Sequence, residues 1–94
     1  RGVEVVSTAD GIVKISRYYG SFGNYIEIDH GNGYITCYGH LHNRNVKKGQ
    51  KVERGQLIGK VGNTGRSTAP HLHYEIKYKN KSLDPSEFYF DLSL

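Results

Sequence analysis

Short β-type runs broken by glycine are the feature that most limits the folds open to this 94-residue chain. Twelve glycines and two prolines separate apolar and aromatic runs of about four to eight residues, which is the ordinary length of a β-strand. No window keeps a helical spacing of apolar residues over three turns. The predicted strands are Val3–Val6, Ile12–Tyr19, Tyr25–Asp29, Tyr34–Tyr38, Leu57–Val61 and Leu72–Tyr78. The fold class is therefore predicted to be all-β.

One short helical turn is predicted near the end of the chain. Asp84 can cap a helix, Pro85 suits the first helical position, and Glu87 stands three residues after the cap. The remainder is expected to form a small, twisted antiparallel sheet with a second layer, similar to a barrel-sandwich.

Length and composition exclude several classes of protein. The chain is long enough for one domain, and it has no run of about 20 apolar residues that could span a membrane as a helix. The formal net charge of +4 is spread thinly, which suits an anionic polymer but does not indicate a nucleic-acid partner. Cys37 is the single cysteine, so an internal disulfide is excluded.

A β-hairpin is predicted around Asn32-Gly33. In Tyr25–Asp29, Ile26 and Ile28 point to one face of the strand, and Asn-Gly between two β runs is a strong hairpin signal. The two strands should pair antiparallel. Cys37 is expected to be a small buried residue of this hairpin, with a reactive thiol near His40 as the alternative.

Two Gly-Gln turns follow in tandem, at Gly49-Gln50 and Gly55-Gln56. Biotinyl and lipoyl carrier domains share this texture, but the chain has no Met and no lysine at a comparable hairpin tip. The turns are therefore interpreted as architecture, as in other β folds with short strands. Their basic residues are expected to be solvated, with adherence to an anionic polymer as the alternative: Lys47, Lys48, Lys51 and Arg54.

Histidines carry the main chemical signal. On a strand, His71 and His73 share one face with Glu75 and Lys77, and their α-carbons lie about 6.6–7 Å apart. Two imidazoles at that spacing can reach one small site, and neutral imidazole is a good zinc ligand. A pair of surface histidines also fits this spacing.

The segments around these histidines predict a cleft. The polar loop Asn63–Pro70 leads into His71, and polar loops beside rigid strands often carry function. The cleft is expected between this loop, a Gly39–Arg44 loop that carries His40, and the start of the Leu72–Tyr78 strand. His30 and His42 are expected to face solvent.

Several blocks occur in a specific order along nearly the whole chain. Tyr38-Gly39-His40-Leu41 precedes the two Gly-Gln turns, and Ser67-Thr68-Ala69-Pro70-His71-Leu72-His73-Tyr74-Glu75 and Asp84-Pro85 follow. With these blocks, residues 1–94 resemble the peptidase domain of the LytM/lysostaphin-type zinc endopeptidases, bacterial enzymes that cut peptide cross-bridges in peptidoglycan.

The resemblance implies roles for individual residues. It implies one zinc ion per complete domain, with His73 as a zinc ligand and His40 and His71 as the catalytic pair. The other two ligands belong to an H-x-x-x-D block, which the resemblance places upstream of Arg1, in another part of the same protein. The domain is therefore expected to be incomplete at its N-terminus, by truncation or by loss of the block. Candidate substrate contacts lie in the polar loop: Asn63, Thr64, Ser67 and Thr68.

The function implied is zinc-dependent cleavage of cross-bridges or stem peptides of peptidoglycan, in the periplasmic or extracellular part of the bacterial cell envelope. The alternative is a catalytically inactive scaffold of similar fold that binds and regulates other wall hydrolases. Retention of His40, His71 and His73 favours the enzyme, because a scaffold has no chemical need for all three.

Overall fold

The computed structural model of the chain describes residues 3–62, 71–79, 81–83 and 86–89. Over these ranges the chain forms nine strands and one 3-10 turn at Gly20–Phe22. The strands are β1 (Glu4–Val6), β2 (Gly11–Tyr18), β3 (Asn24–Gly31), β4 (Tyr34–Arg44), β5 (Lys51–Val52), β6 (Leu57–Val61), β7 (His71–Tyr78), β8 (Lys81–Ser82) and β9 (Ser86–Tyr89). The predicted all-β class is confirmed. Within the described ranges, no helix is long and apolar enough to cross a membrane.

Strand β4 is the centre of one curled antiparallel sheet. Strand β3 pairs along one edge of β4, and β2 and β5 follow beyond it. The other edge of β4 is shared, because its first half pairs with β7 and its second half with β6. The sheet therefore divides at the middle of β4, where Gly39 and His40 lie.

The main core covers one face of this sheet. Its centre contains Ile26 and Ile28 from β3 and Tyr38 and Leu41 from β4, all at most 1% exposed. Leu72 and Tyr74 of β7 pack against the same cluster. The predicted orientation of β7, with Leu72 and Tyr74 toward the core, is confirmed.

The opposite face carries a smaller apolar cluster and the polar residues of the three central strands. Tyr25, Ile35 and Cys37 are buried there, and Phe22 packs against them. Because neighbours two apart on a strand share a face, Glu27 of β3 and His73 and Glu75 of β7 lie on this side. We call this surface the histidine face.

The hairpin between β3 and β4 turns as predicted. Asn32 and Gly33 have φ values of 53° and 86°, and positive φ at both central residues is the geometry for which Asn-Gly is favoured. Cys37 pairs with Glu27 across the hairpin and is 1% exposed. Its predicted burial is confirmed.

The two Gly-Gln turns have the same backbone conformation and the same pattern of hydrogen bonds. Gly49 and Gly55 have φ values of 89° and 84°. The side-chain oxygen of each following glutamine accepts a hydrogen bond from a backbone N–H three residues before it, at 3.1 Å for Gln50 and 3.0 Å for Gln56. The turns are structural, as predicted, and their basic side chains are solvent-exposed: Lys47, Lys48, Lys51 and Arg54.

Three expectations are corrected. Ser86 and Glu87 belong to strand β9, so the helical turn is wrong for them, because pairing with β7 outweighs the local capping signal; Asp84 and Pro85 lie outside the described residues. The Gly39–Arg44 segment continues β4 and is not a loop.

His30 is half-buried and does not face solvent as expected. Its Nδ1 forms a hydrogen bond with the Asp10 carbonyl and its Nε2 one with the Thr36 hydroxyl, both at 2.7 Å. His42 is exposed, as predicted.

Candidate functional site

A β-bulge places His40 on the histidine face. Asn24 pairs with Leu41, and Ile26 pairs with Tyr38. Between these two pairs the chain advances by three residues on β4 and by two on β3, so β4 contains one extra residue. The extra residue interrupts the alternation, because Tyr38 and Leu41 both face the core although they are three apart. His40 lies between them with φ of 60°, in the left-handed region that histidine adopts more readily than most residues. Bulges often redirect side chains beside active sites.

Asn24 and Arg44 bridge the strands at this bulge. The side-chain amide of Asn24 donates hydrogen bonds to the carbonyls of Leu41 and His42, both at 3.1 Å. The guanidinium of Arg44 donates in turn to the Asn24 side-chain oxygen at 3.1 Å. The two carbonyls belong to the residues that directly follow His40, so these hydrogen bonds stabilise the backbone conformation of the bulge.

His40 and His73 meet on the histidine face. Their ring centroids are 6.2 Å apart, with the rings close to perpendicular. His40 is 8% exposed and His73 is half-buried. Gly39 pairs with His73, and a Cβ on this glycine would lie 3.3 Å from the His73 Cβ. Because Gly39 has no side chain, His73 on β7 can lie close to β4 and to His40.

Phe22 forms a wall beside the two imidazoles. Its ring centroid lies 5.3 Å from that of His73 and 6.4 Å from that of His40. It also packs on Tyr25 at 5.0 Å. The sequence interpretation missed Phe22 as a site residue; the glycines at positions 20 and 23, which frame its short turn in front of β3, were the available signal.

His71 is the first residue of β7, and its backbone pairs with Tyr89 of β9. It stands two residues before His73 on the same strand, as the sequence predicted; its side chain lies outside the described structure. The candidate substrate contacts lie outside the described residues as well: Asn63, Thr64, Ser67 and Thr68.

The donors present on the histidine face suit zinc in chemical type, since imidazole nitrogen and carboxylate oxygen are its usual partners besides thiolate. His73 has the Glu75 carboxylate beside its Nε2, at 3.4 Å. In the part of the chain that the structure describes, no three His, Cys, Asp or Glu side chains come together as a possible metal site. A zinc site with three protein ligands at His73 needs donors beyond these residues.

Buried polar residues form the floor next to the histidines. The Tyr25 hydroxyl donates a 2.6 Å hydrogen bond to Glu27, and the Lys77 ammonium lies 3.8 Å from the same carboxylate oxygen. Burial, with hydrogen bonds to Cys37 and Glu27, raises the pKa of Tyr25 far above its ordinary value. The Tyr25 hydroxyl therefore remains a proton donor, and Glu27 is held by two partners.

Burial also raises the pKa of the Cys37 thiol, which disfavours the nucleophilic thiolate. We expect iodoacetamide to alkylate Cys37 in the folded chain at pH 8 at least about 100-fold more slowly than in the urea-unfolded chain, because reaction requires local opening. Mass spectrometry of timed samples measures both rates. Equal rates would contradict the buried, unreactive thiol and support the reactive alternative.

Two cavities lie away from these histidines. One of about 900 Å³ is bordered by the start of β2, the β3–β4 turn and β5, and includes Asp10 and His30. The other, of about 280 Å³, opens on apolar side chains that include Val5, Leu72 and Tyr74. Neither is lined by His40 or His73. The larger cavity also has titratable side chains, but its His30 has both ring nitrogens bonded to protein groups. Among the described residues, the histidine face is where two imidazoles lie close together.

Known proteins share this arrangement of strands. The chain is 51% identical over 83 residues to the peptidoglycan DD-endopeptidase ShyA of Vibrio cholerae. The aligned region covers 88% of this chain and 19% of ShyA. A crystal structure of a zinc-containing peptidase from Vibrio cholerae matches with a TM-score of 0.85 and 48% identity, over 88% of this chain and 26% of the other.

The catalytic domain of the antimicrobial peptidase lysostaphin from Staphylococcus simulans matches with a TM-score of 0.82 and 34% identity, over 88% of this chain and 67% of that one. Compared with the longer relative ShyA, the chain spans only about a fifth of the length. The model of peptidase family M23 matches residues 1–85. On this match and on the fold that it shares with these peptidases, the chain belongs to peptidase family M23.

Proposed function

We propose that this chain is the peptidase domain of a zinc-dependent peptidoglycan endopeptidase that acts in the bacterial cell envelope, in the periplasmic or extracellular space. The observation that carries the proposal is the bulge in β4, which turns a buried His40 toward His73. A strained residue beside a second histidine is typical of a functional site. Relatives named as peptidoglycan endopeptidases support the substrate class.

His73 is the zinc ligand in this proposal, and the other two ligands come from residues upstream of Arg1. Zinc held there would supply Lewis-acid chemistry and would lower the pKa of a water bound to it to about 7. The half-buried position of His73, between Phe22 and Glu75, limits the orientations of its ring. A ligand held in this way loses little conformational freedom when it binds a metal.

His40 and His71 divide the proton transfers between them. One imidazole accepts the proton of the attacking water, and the other hydrogen-bonds the developing oxyanion or protonates the leaving amine. His40 is suited to this work because it is fixed by the bulge and shielded by Phe22. His71 is assigned its role from its place in the sequence of β7, two residues before His73, which is the spacing at which strand residues share a face.

The substrate is an extended peptide, either a cross-bridge or a stem peptide of peptidoglycan. Such a chain can pair with an exposed strand edge while alternate side chains enter the site. Substrate contacts are assigned to the polar loop before β7: Asn63, Thr64, Ser67 and Thr68. The composition of the chain gives no reason to propose a nucleic-acid partner.

Substitution of the two catalytic candidates tests the proposal. In the full-length protein, His40→Ala and His71→Ala should each keep bound zinc and lose about 10²–10⁴-fold in turnover, because a general acid or base contributes on that scale. Metal content and the rate of peptidoglycan digestion are measured on the same samples. His42→Ala is the matched control, since His42 is an exposed histidine two residues from His40, and its rate should remain that of the parent.

Turnover at the parent rate in both His40→Ala and His71→Ala would contradict these roles. If the parent binds peptidoglycan without cleaving it, and His40→Ala changes nothing, the inactive scaffold that regulates other wall hydrolases becomes the better account.

A further inference from the structure

We propose that Glu75 is a positioning residue, whose carboxylate holds the Nε2 proton of His73 and so fixes which ring nitrogen is presented to the metal. The inference rests on the proposed function, since it concerns how His73 acts as a zinc ligand. It adds a residue outside the ligand and catalytic sets already named.

The contact is set by the geometry of β7. His73 and Glu75 are two residues apart on one strand and therefore share the histidine face. The His73 Nε2 lies 3.4 Å from a Glu75 carboxylate oxygen, and both side chains are only 16% exposed. An ionised carboxylate only accepts hydrogen bonds, so this contact favours the His73 tautomer that has its proton on Nε2. In a neutral imidazole this tautomer has its electron pair on Nδ1, which is the nitrogen able to bind a metal.

Glu27, another acid whose side chain the structure describes on this face, has partners of its own. Glu27 on β3 and Glu75 on β7 flank Cys37, because both strands pair with β4 at that residue. Glu27 accepts the 2.6 Å hydrogen bond of Tyr25 and lies 3.8 Å from the Lys77 ammonium. Among the side chains that the structure describes, Glu75 is a carboxylate directed at His73. Of these two glutamates, Glu27 therefore has a structural role and Glu75 a positioning role.

Partners of this kind affect metal binding measurably. A carboxylate that orients a metal-binding histidine and makes it a stronger base typically changes metal affinity by about 10–100-fold when it is removed. Phe22, packed at 5.3 Å from the His73 ring, adds an apolar contact that limits the movement of the ring.

The experiment compares zinc affinity in full-length Glu75→Ala, Glu75→Gln and the control Glu27→Gln, by competition with a chromophoric chelator. We expect about 10–100-fold weaker binding for Glu75→Ala. Glu75→Gln should fall between it and the parent, because its amide oxygen still accepts a hydrogen bond but carries no charge. Glu27→Gln should bind zinc like the parent. The absorption spectrum of the cobalt-substituted protein should change in the Glu75 variants and not in the control.

Thermal unfolding of the metal-free proteins shows whether each variant folds. If Glu75→Ala does not fold, the nearly isosteric Glu75→Gln decides the outcome. Zinc affinity and cobalt spectrum equal to the parent in the folded Glu75 variants, together with loss of zinc in His73→Ala, overturn the positioning role and leave the proposed function intact. A full-length parent that binds no zinc overturns both.

Discussion

His73→Ala in the full-length protein should lose bound zinc and peptidoglycan hydrolysis together. In the proposed site, removing one of three protein ligands leaves too few to hold zinc tightly, and hydrolysis depends on the metal in the proposed mechanism. The His73 side chain packs against Phe22 and His40 and is not part of the main core, so the sheet should survive the substitution. Metal analysis of the purified protein and digestion of peptidoglycan on the same sample give the two readouts.

The pattern of zinc content and activity across the variants separates the proposed ligand from the proposed catalytic pair. His40→Ala and His71→Ala are expected to keep zinc, His73→Ala is expected to lose it, and the exposed His42→Ala serves as control. Zinc at full stoichiometry in a folded His73→Ala protein would show that the metal ligand has been assigned to the wrong histidine.

The second large effect concerns the 94 residues by themselves. In the proposed assignment these residues supply one zinc ligand and a neighbouring imidazole, which are too few for a site with three protein ligands. We therefore expect this chain alone to bind no zinc at sub-micromolar free metal and to hydrolyse no peptidoglycan. Extending it upstream through the proposed H-x-x-x-D ligands should restore both properties in the same protein.

Isothermal titration with zinc on the short and the extended chains measures the difference. Tight one-to-one binding by the short chain would contradict the proposed position of the missing ligands. An extended chain that contains the two ligands and still binds no zinc would favour the non-catalytic scaffold.

Most of the sheet could be predicted because strand signals are local. The run Leu57–Val61 is predicted and observed with identical bounds, and the Asn32-Gly33 turn follows directly from residues that tolerate positive φ. The alternation of β7 also assigns Leu72 to the core and His73 to the opposite face. These properties depend on the spacing of apolar residues along each strand and on the residues of the turns, both of which can be read from the sequence.

The bulge in β4 could not be predicted in the same way. Gly39 and His40 interrupt the apolar alternation, which is also the pattern of a strand that ends, and the segment was interpreted as a loop. Continuation of the strand depends on partners distant in sequence, namely β6 and the Asn24 side chain. A resemblance could suggest a role for His40, but its redirection by an extra residue required the register with β3.

Two further differences also come from nonlocal contacts. The capping signal at Asp84–Glu87 is local, whereas the pairing of Glu87 with His73 in the β7–β9 ladder is a tertiary interaction that overrides it. His30 has no informative sequence neighbours, but the fold brings the Asp10 carbonyl and the Thr36 hydroxyl to its two ring nitrogens. Burial of a polar side chain is hard to predict when its partners come from other strands.

The most direct test of zinc-dependent endopeptidase activity is digestion of one purified cross-linked muropeptide dimer by the zinc-loaded full-length protein. Liquid chromatography with mass spectrometry follows the products, and a chelator-treated sample serves as control. The predicted result is conversion of the dimer to products separated at a peptide bond, lost with the chelator and regained when zinc is added back. An intact dimer, or cleavage at the same rate in the chelator-treated protein, would contradict the account.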